Sequence, residues 1–199
     1  MNKVVLYIHG KNGSPDESEH YRPLFQDSDV IGLDYKSFTP WETGKEIHSK
    51  VEILKNKYSE IILIANSIGA FFSLNADLNN QLSKAYFISP IVDMEELIIR
   101  MMSWANVSEE QLEKEKIIHT DFGEDLSWDY LSYVREHSII WNIPTHILYG
   151  SQDNIVSEDS LKAFAKKNNS SLTVIKNGEH WFHTEEQMKF LDDWIRTHR

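Results

Sequence analysis

Short runs of apolar, often β-branched residues alternate along the chain with segments whose apolar side chains recur at helical spacing. The short runs predict six strands, which are Lys3–Ile8, Val30–Asp34, Ile61–Ala65, Ala85–Ser89, Thr145–Tyr149 and Leu172–Lys176. Several of them contain continuous apolar runs, and Ile61–Ala65 is apolar at every position. Such strands are expected where helices cover both faces of a parallel sheet.

Helical patterns lie between most of these strands. Ser14-Pro15-Asp16-Glu17 has the form of a capping box with proline at the first helical position, and it predicts a short helix that Pro23 interrupts. Longer patterns predict helices over Thr43–Tyr58, Ser67–Leu78, Ser157–Lys167 and Thr184–Thr197. Because strands and helices alternate, we expect an α/β layered fold with right-handed crossovers, formed by one domain over residues 1–199.

One segment, residues 91–142, interrupts this alternation and is too long for an ordinary connection between a strand and a helix. It predicts helices over Glu95–Trp104, Ser108–Ile118 and Trp128–His137. The segment is rich in methionine and aromatic residues. It could add helices that cover a sheet edge, or it could form a cap that contacts substrate. We favour the cap, and we expect Met102, Trp104 and Trp128 to line a substrate pocket.

Composition narrows the range of partners. A chain of 199 residues with 41% hydrophobic residues is long enough for one well-buried core and an inserted lid. The formal net charge of −11 argues against nucleic acid and anionic membrane surfaces as partners. The absence of cysteine excludes disulfides, thiol catalysis and cysteine-ligated metals. No signal peptide or apolar stretch of about 20 residues is present, so we expect a cytoplasmic protein.

Reactive side chains follow three of the predicted strands. Open parallel sheets bind ligands at the carboxyl ends of their strands, so these positions are candidates for a site. Ser67 follows the third strand within Ala65-Asn66-Ser67-Ile68-Gly69, which has the form of a nucleophile elbow with alanine at its first position. Asp153 follows the fifth strand and His180 follows the sixth. A nucleophile, an acid and a base thus occur in the order Ser, Asp, His.

That order and placement resemble the α/β-hydrolase superfamily along essentially the whole chain, and in particular its small bacterial serine esterases. The resemblance implies a three-layer sandwich with a mostly parallel six-stranded sheet and a helical insertion before the fifth strand. It also implies that Ser67 is the nucleophile, Asp153 the acid and His180 the base. Two N-terminal strands that are common in larger members are missing here.

The chemistry requires these residue types. A serine hydroxyl is a poor nucleophile until an imidazole removes its proton, and a carboxylate must orient that imidazole and stabilise its charged form. Backbone N–H groups must then stabilise the negative charge on the attacked carbonyl oxygen. The N–H of Ile68, at a predicted helix N-terminus, is one candidate donor. The resemblance implies the N–H of Lys11 as the other, with His9 holding its loop.

Alternatives remain open for several of these residues. Ser67 could cap a helix, and Asp153 could form an Asx turn. His183 is a rival to His180 as the base, and Asp93 is a rival to Asp153 as the acid. Asn66 could point either into the acyl pocket or into the core.

The sequence therefore predicts a serine hydrolase that cleaves a carboxylic ester or thioester of a small, largely apolar substrate through an acyl-enzyme. An amide, peptide or carbon–carbon bond hydrolase with the same triad is an alternative, as is a non-catalytic binding protein. We expect no cofactor and no metal, because the chain contains no phosphate-binding loop, no Gly-x-Gly-x-x-Gly and no HExxH.

Overall fold

The computed structural model describes residues 2–199, and its main element is a six-stranded sheet. The eight strands are β1 Lys3–Ile8, β2 Ser28–Gly32, β3 Glu60–Asn66, β4 Lys84–Ile88, β5 Ile117–His119, β6 Asp125–Ser127, β7 Thr145–Gly150 and β8 Ser171–Ile175. The large sheet has the order β2-β1-β3-β4-β7-β8, and every neighbouring pair in it is parallel. The predicted mostly parallel six-stranded sheet is confirmed.

Helices follow most of the strands, as the sequence pattern predicts. They are a 3-10 helix Pro15–Leu24, α1 Pro40–Lys55, α2 Ile68–Leu74, α3 Met94–Trp104, α4 Glu109–Glu115, α5 Trp128–Glu136, α6 Glu158–Lys167 and α7 Glu185–His198. The capping box at Ser14 forms, whereas Pro23 lies inside the 3-10 helix instead of interrupting it. Pro23 is next to the last residue of that helix, where few hydrogen bonds remain to be lost. Among the helices of residues 2–199, none combines the length and hydropathy that crossing a membrane requires.

The central strands are buried on both faces, which explains their continuous apolar sequences. Val5 and Tyr7 of β1 lie in one core cluster, together with Tyr21 of the 3-10 helix and Trp194 of α7. The intervening residue of β1, Leu6, points to the opposite face and is also fully buried. The sheet therefore has a packed layer on each side.

The second strand begins and ends two residues earlier than the predicted Val30–Asp34. Its register with β1 pairs Tyr7 with Gly32, the last residue of β2. A Cβ at Gly32 would lie 2.0 Å from the carbonyl oxygen of Pro15. The strand thus ends where its backbone passes directly under the start of the 3-10 helix, a contact that no local pattern signals.

The chain forms two compact units: residues up to Val92 together with Ile140–Arg199, which contain the large sheet, and Asp93–Ile139. The smaller unit contains α3, α4 and α5 and the antiparallel pair β5–β6. Within it, the Arg135 guanidinium pairs with Glu95 at 2.7 Å and with Glu109 at 2.5 Å and 3.0 Å, which links the three helices.

The predicted helix over Ser108–Ile118 is wrong at its C-terminal end. Helix α4 stops at Glu115, and Lys116 adopts a left-handed conformation with φ of 67°. Ile117 and Ile118 then form β5 and pair with β6. Isoleucine favours a strand through its branched Cβ, and here antiparallel pairing with the nearby β6 allows that preference to prevail over the helical spacing.

Candidate active site

Ser67 occupies a strained turn between β3 and α2. Its φ of 52° and ψ of −119° lie in a region that residues with a side chain rarely adopt, so the surrounding structure must hold it there. The Ser67 N–H donates to the carbonyl of Ile88 at 3.0 Å, and the Ser67 carbonyl accepts from Ala70 at 3.1 Å and Ile91 at 3.2 Å. The Ser67 hydroxyl makes no capping hydrogen bond to α2. The turn therefore presents the hydroxyl away from the helix backbone.

The residues two positions either side of Ser67 have different packing requirements. A Cβ at Gly69 would lie 2.4 Å from the carbonyl oxygen of His9 and 2.7 Å from that of Ile8, so only glycine fits without a backbone shift. Ala65 is fully buried within β3. The elbow accommodates alanine at its first position and requires glycine at its last.

Three of the predicted site residues form a continuous chain of hydrogen bonds. Ser67 Oγ lies 2.8 Å from His180 Nε2, and His180 Nδ1 lies 2.7 Å from Asp153 Oδ2. The backbone N–H groups of Ile155 and Val156 donate to Asp153 Oδ1 at 2.8 Å and 2.9 Å. In the tautomer that fits these contacts, the Nδ1 proton is donated to Asp153 and Nε2 accepts the proton of the serine hydroxyl.

Burial strengthens the electrostatic interaction between Asp153 and His180. The Asp153 side chain is 0% exposed and that of His180 is 15% exposed, so solvent screens their interaction only weakly. Burial also raises the pKa of the adjacent Tyr149, and the negative charge of Asp153 raises it further. The Tyr149 hydroxyl donates to the carbonyl of Val156, inside the loop that holds Asp153.

Two glycines bring the loops of Asp153 and His180 together. A Cβ at Gly150 would lie 2.4 Å from the carbonyl carbon of Gly178. The backbone N–H of Gln152 donates to the Gly178 carbonyl at 2.8 Å. The end of β7 and the loop after β8 thus touch through their backbones, which sets the separation of the acid and the base.

The two rival residues take other partners. The His183 ring stacks on Trp181 at 4.6 Å, and its Nδ1 lies 2.8 Å from the Trp181 carbonyl. The Asp93 carboxylate accepts from the Glu96 N–H at 2.9 Å and caps α3. Neither side chain takes part in the hydrogen-bond chain of Ser67.

The loop that contains Lys11 passes against the elbow. Gly13 donates to the carbonyl of Gly10 at 3.2 Å and closes a tight turn around Lys11, and a Cβ at Gly10 would lie 3.3 Å from Ser67 Cβ. Ile68, the other predicted oxyanion donor, is the first residue of α2, where backbone N–H groups have no partner within the helix. Both predicted donors therefore lie in backbone segments next to the serine.

His9 fixes the start of this loop. His9 is buried, and its Nδ1 lies 2.8 Å from the carbonyl oxygen of Gly10. Its ring stacks on Tyr35 at 4.2 Å, and the Tyr35 hydroxyl donates to the His9 carbonyl at 3.0 Å.

The predicted pocket residues lie in separate surroundings. Met102 is buried, whereas Trp104 is 56% exposed and contacts Phe122 edge-on. Trp128 begins α5, with the Lys116 ammonium 5.5 Å from its ring. All of these residues belong to the unit Asp93–Ile139. Their role in a substrate pocket stays a prediction.

Asn66 ends β3 on the same face of the sheet as Tyr7, which pairs with Ile64, and its side chain interacts with the Tyr7 hydroxyl. Tyr7 in turn donates to Glu17 at 2.5 Å. The sequence pattern identifies Glu17 only as part of a capping box and Tyr7 only as a strand residue. No local signal indicates their contact, because it depends on how the 3-10 helix packs over β1.

Within residues 2–199, no group of three or more His, Asp or Glu side chains is arranged to hold a metal ion.

Comparison with known proteins agrees with this architecture. The family model for the alpha/beta hydrolase fold matches residues 106–187, a range that includes Asp153 and His180 and lies after Ser67. No curated protein sequence matches the chain significantly.

Solved structures match over nearly the whole chain at low sequence identity. Est1E from Butyrivibrio proteoclasticus has a TM-score of 0.77 at 16% identity, with 99% of this chain and 86% of that one covered. Mouse alpha/beta hydrolase domain-containing protein 10 has a TM-score of 0.77 at 15% identity, with 98% and 88% covered. The thioesterase domain from the curacin biosynthetic pathway has a TM-score of 0.58 at 15% identity, with 98% and 91% covered.

Proposed function

Since the chain has the α/β-hydrolase fold, we propose that it is a serine hydrolase that cleaves a carboxylic ester or thioester of a small, largely apolar substrate. The observation that supports this most directly is the hydrogen-bond chain from Ser67 through His180 to the buried carboxylate of Asp153. Each member of this chain follows a different parallel strand, at the edge where such sheets bind ligands.

In the proposed reaction, the Ser67 oxygen attacks the substrate carbonyl while His180 Nε2 takes the hydroxyl proton. Asp153 orients the imidazole and stabilises its positive charge. His180 then protonates the departing alcohol or thiol, which leaves an acyl group on Ser67. A water molecule, deprotonated by His180, then attacks that acyl group. The bond between the acyl carbon and the Ser67 oxygen breaks, His180 returns the proton to that oxygen, and the acid is released.

The N–H groups of Lys11 and Ile68 are proposed to stabilise the oxyanion of each tetrahedral intermediate. Both belong to the backbone, so their positions depend on the turn at Gly10–Gly13 and on the start of α2. A preorganised pair of donors needs no rearrangement when charge develops, which is why such donors lower the barrier.

The choice of bond rests on the similarity to known structures, which include a thioesterase domain. Esters and thioesters have better leaving groups than amides, so they make a smaller demand on the proposed serine, histidine and aspartate. An amide or carbon–carbon bond hydrolase would label with the same reagents but would turn over simple esters slowly.

The test is labelling with a fluorophosphonate, followed by turnover of 4-nitrophenyl esters and acyl thioesters of increasing chain length. We expect the wild-type protein to label at Ser67 and to hydrolyse short and medium esters, and Ser67→Ala to lose both properties while its thermal unfolding stays cooperative. Ser83→Ala is the matched control, because Ser83 lies just before β4, at the opposite end of the strands. Full turnover in a folded Ser67→Ala variant would disprove the mechanism.

The acid is tested by comparing two aspartates. If Asp153 orients His180, then Asp153→Asn should lower kcat by about 10⁴-fold, because the amide favours the wrong tautomer of the histidine. Asp93→Asn should leave kcat nearly unchanged, since that carboxylate caps α3. The reverse result would assign the acid to Asp93.

A further inference from the structure

The Glu17 side chain contacts both β1 and the loop that contains Lys11. Its Oε2 accepts a hydrogen bond of 2.5 Å from the hydroxyl of Tyr7, and its Oε1 accepts one of 3.3 Å from the backbone N–H of Ser14. A Cβ at Gly13 would lie 2.9 Å from Glu17 Oε1. The loop therefore packs directly on this carboxylate, with no room for a larger residue at Gly13.

Tyr7 extends these contacts to the elbow. Its hydroxyl donates to Glu17 and interacts with the side chain of Asn66, the residue that precedes Ser67 and lies on the same face of the neighbouring strand. Tyr7 is only 1% exposed, and burial raises the pKa of its hydroxyl far above the ordinary range, as do nearby Tyr21 and Glu17. The hydroxyl therefore stays protonated at neutral pH and can donate to Glu17.

The three residues, which we call the Tyr7 network (Glu17, Tyr7 and Asn66), thus contact the two segments that contain the proposed oxyanion donors. Glu17 holds the loop of Lys11, and Asn66 lies two residues before Ile68. The hydrogen bond between Tyr7 and Glu17 has the short length typical of an O–H group that donates to a carboxylate, a class roughly twice as strong as neutral hydrogen bonds.

We propose that Glu17 and Tyr7 are positioning residues that set the distance between the N–H groups of Lys11 and Ile68. This proposal rests on the proposed function. Neither side chain belongs to the hydrogen-bond chain of Ser67, so each acts through the backbone: Glu17 through Ser14 and the turn at Gly10–Gly13, Tyr7 through Asn66. Removal of an oxyanion donor costs about 10²–10³-fold in kcat, and displacement of one should cost less.

The test uses Tyr7→Phe, Glu17→Gln and Glu17→Ala, with a matched pair of controls. The Tyr58 hydroxyl donates to the Asp29 carboxylate at 2.6 Å, so it has the same chemistry near the amino ends of β2 and β3, away from the site. Tyr58→Phe and Asp29→Asn therefore report the general cost of losing a tyrosine–carboxylate hydrogen bond. Each variant is titrated with fluorophosphonate, so that kcat is given per active site.

Two measurements separate positioning from stability. The first is the division of any loss between kcat and KM for a 4-nitrophenyl ester. The second is the affinity for a trifluoromethyl ketone, which forms a tetrahedral adduct with an active serine and depends on the oxyanion donors. A purely structural contribution would lower the thermal unfolding temperature and the fraction of active sites without changing either measurement.

We expect Tyr7→Phe and Glu17→Ala to lower kcat by about 10- to 100-fold with little change in KM, and to weaken trifluoromethyl ketone binding by the same factor. Glu17→Gln, which keeps an acceptor oxygen, should lose less than Glu17→Ala, and both controls should match the wild type. Should Tyr7→Phe fail to fold, the comparison of Glu17→Gln with Glu17→Ala decides, since Glu17 lies at the surface. Wild-type kcat and inhibitor affinity in the variants would overturn the proposal. A wild-type protein that does not label would instead overturn the proposed function.

Discussion

At the scale of single residues, the elbow depends on backbone space more than on side-chain chemistry. Ser67 is held at a positive φ by three backbone hydrogen bonds, and Gly69 lets α2 start against the carbonyl groups of Ile8 and His9. His9 is also the first residue of the loop that contains Lys11. Because Gly69 has no side chain, the start of α2 after Ser67 can lie against the start of the loop that contains Lys11, a proposed oxyanion donor.

We predict that Gly69→Ala destabilises the protein by at least about 1–3 kcal/mol, the usual cost of overpacking a core, and lowers kcat in the fraction that folds. The methyl group would overlap two backbone oxygens that have no flexible side chain to move away. Urea unfolding and ester turnover per titrated active site are the measurements.

The control for that substitution is Ala65→Gly, at the other end of the motif. It removes a methyl group from β3 and should lower stability modestly, since glycine weakens a strand, while kcat stays close to that of the wild type. If Gly69→Ala behaved like this control, the close approach at Gly69 would not constrain the elbow.

At the scale of elements, α7 is fixed by its C-terminal end as well as by its apolar face. The Lys84 ammonium and the Tyr86 hydroxyl both donate to the carbonyl of His198, at 2.5 Å and 2.7 Å. The His198 ring lies 4.4 Å from that of His146 on β7. The His198 imidazole therefore lies beside His146, and the Lys84 ammonium is held nearby by the His198 carbonyl.

This arrangement predicts a pH dependence of stability. Partial burial, together with the nearby His198 and Lys84, lowers the pKa of His146 from its ordinary value of 6.5 to about 4. Between pH 6.5 and pH 4, the unfolded chain binds a proton at this residue that the folded protein does not bind. The free energy of unfolding should therefore fall as the pH decreases through that window.

Urea unfolding at intervals from pH 7.5 to pH 4 measures this effect. His146→Gln should flatten the curve, because it removes the group that takes up the proton on unfolding. Identical slopes for the wild type and His146→Gln would show that His146 titrates alike in both states.

At the scale of the whole molecule, net charge is the dominant electrostatic feature. The chain has 31 acidic and 20 basic residues, which give a formal charge of −11 at pH 7. A negative molecule repels anionic substrates over distances set by the Debye length, about 10 Å at 0.1 M salt. Neutral substrates should therefore reach the site more readily than anionic ones at low ionic strength.

We predict that kcat/KM for an ester with a free carboxylate, such as a 4-nitrophenyl hemisuccinate, rises with added salt relative to the neutral 4-nitrophenyl butyrate. Salt screens the repulsion that slows the encounter, while the chemical step is the same for both esters. The neutral ester is the internal control for general salt effects. Faster turnover of the anionic ester at low salt would indicate a local cationic patch strong enough to reverse the field.

Much of the fold could be predicted because it depends on local patterns. The central strands are buried on both faces, so their sequences are continuously apolar, and the prediction of β1 matches the structure residue for residue. The errors occur where contacts between different elements decide. Gly32 ends β2 against Pro15, and pairing with β6 draws Ile117 and Ile118 out of a predicted helix.

The candidate site divides in the same way. The order of Ser67, Asp153 and His180 along the chain indicates all three, because parallel strands place their carboxyl ends at one edge of the sheet. The spacing of His180 after Gly178, which the resemblance implies for the base, favours His180 over His183, although both follow β8 within a few residues. The choice depends on the contact of Gly178 with Gly150, which presents His180 to Asp153, and on the stacking of His183 on Trp181.

Local sequence by itself determined the alternation of strands and helices, the elbow around Ser67 and the capping box that includes Glu17. These features depend on residues a few positions apart, whose spacing is visible in the chain. Only the tertiary structure decided that Glu17 contacts Tyr7, that Tyr7 contacts Asn66 and that the Ser67 hydroxyl meets His180. Each of these contacts joins segments that come together only when the core packs. The hydrophobic effect that drives this packing is non-directional, so the sequence of one segment does not indicate which other segment it will contact.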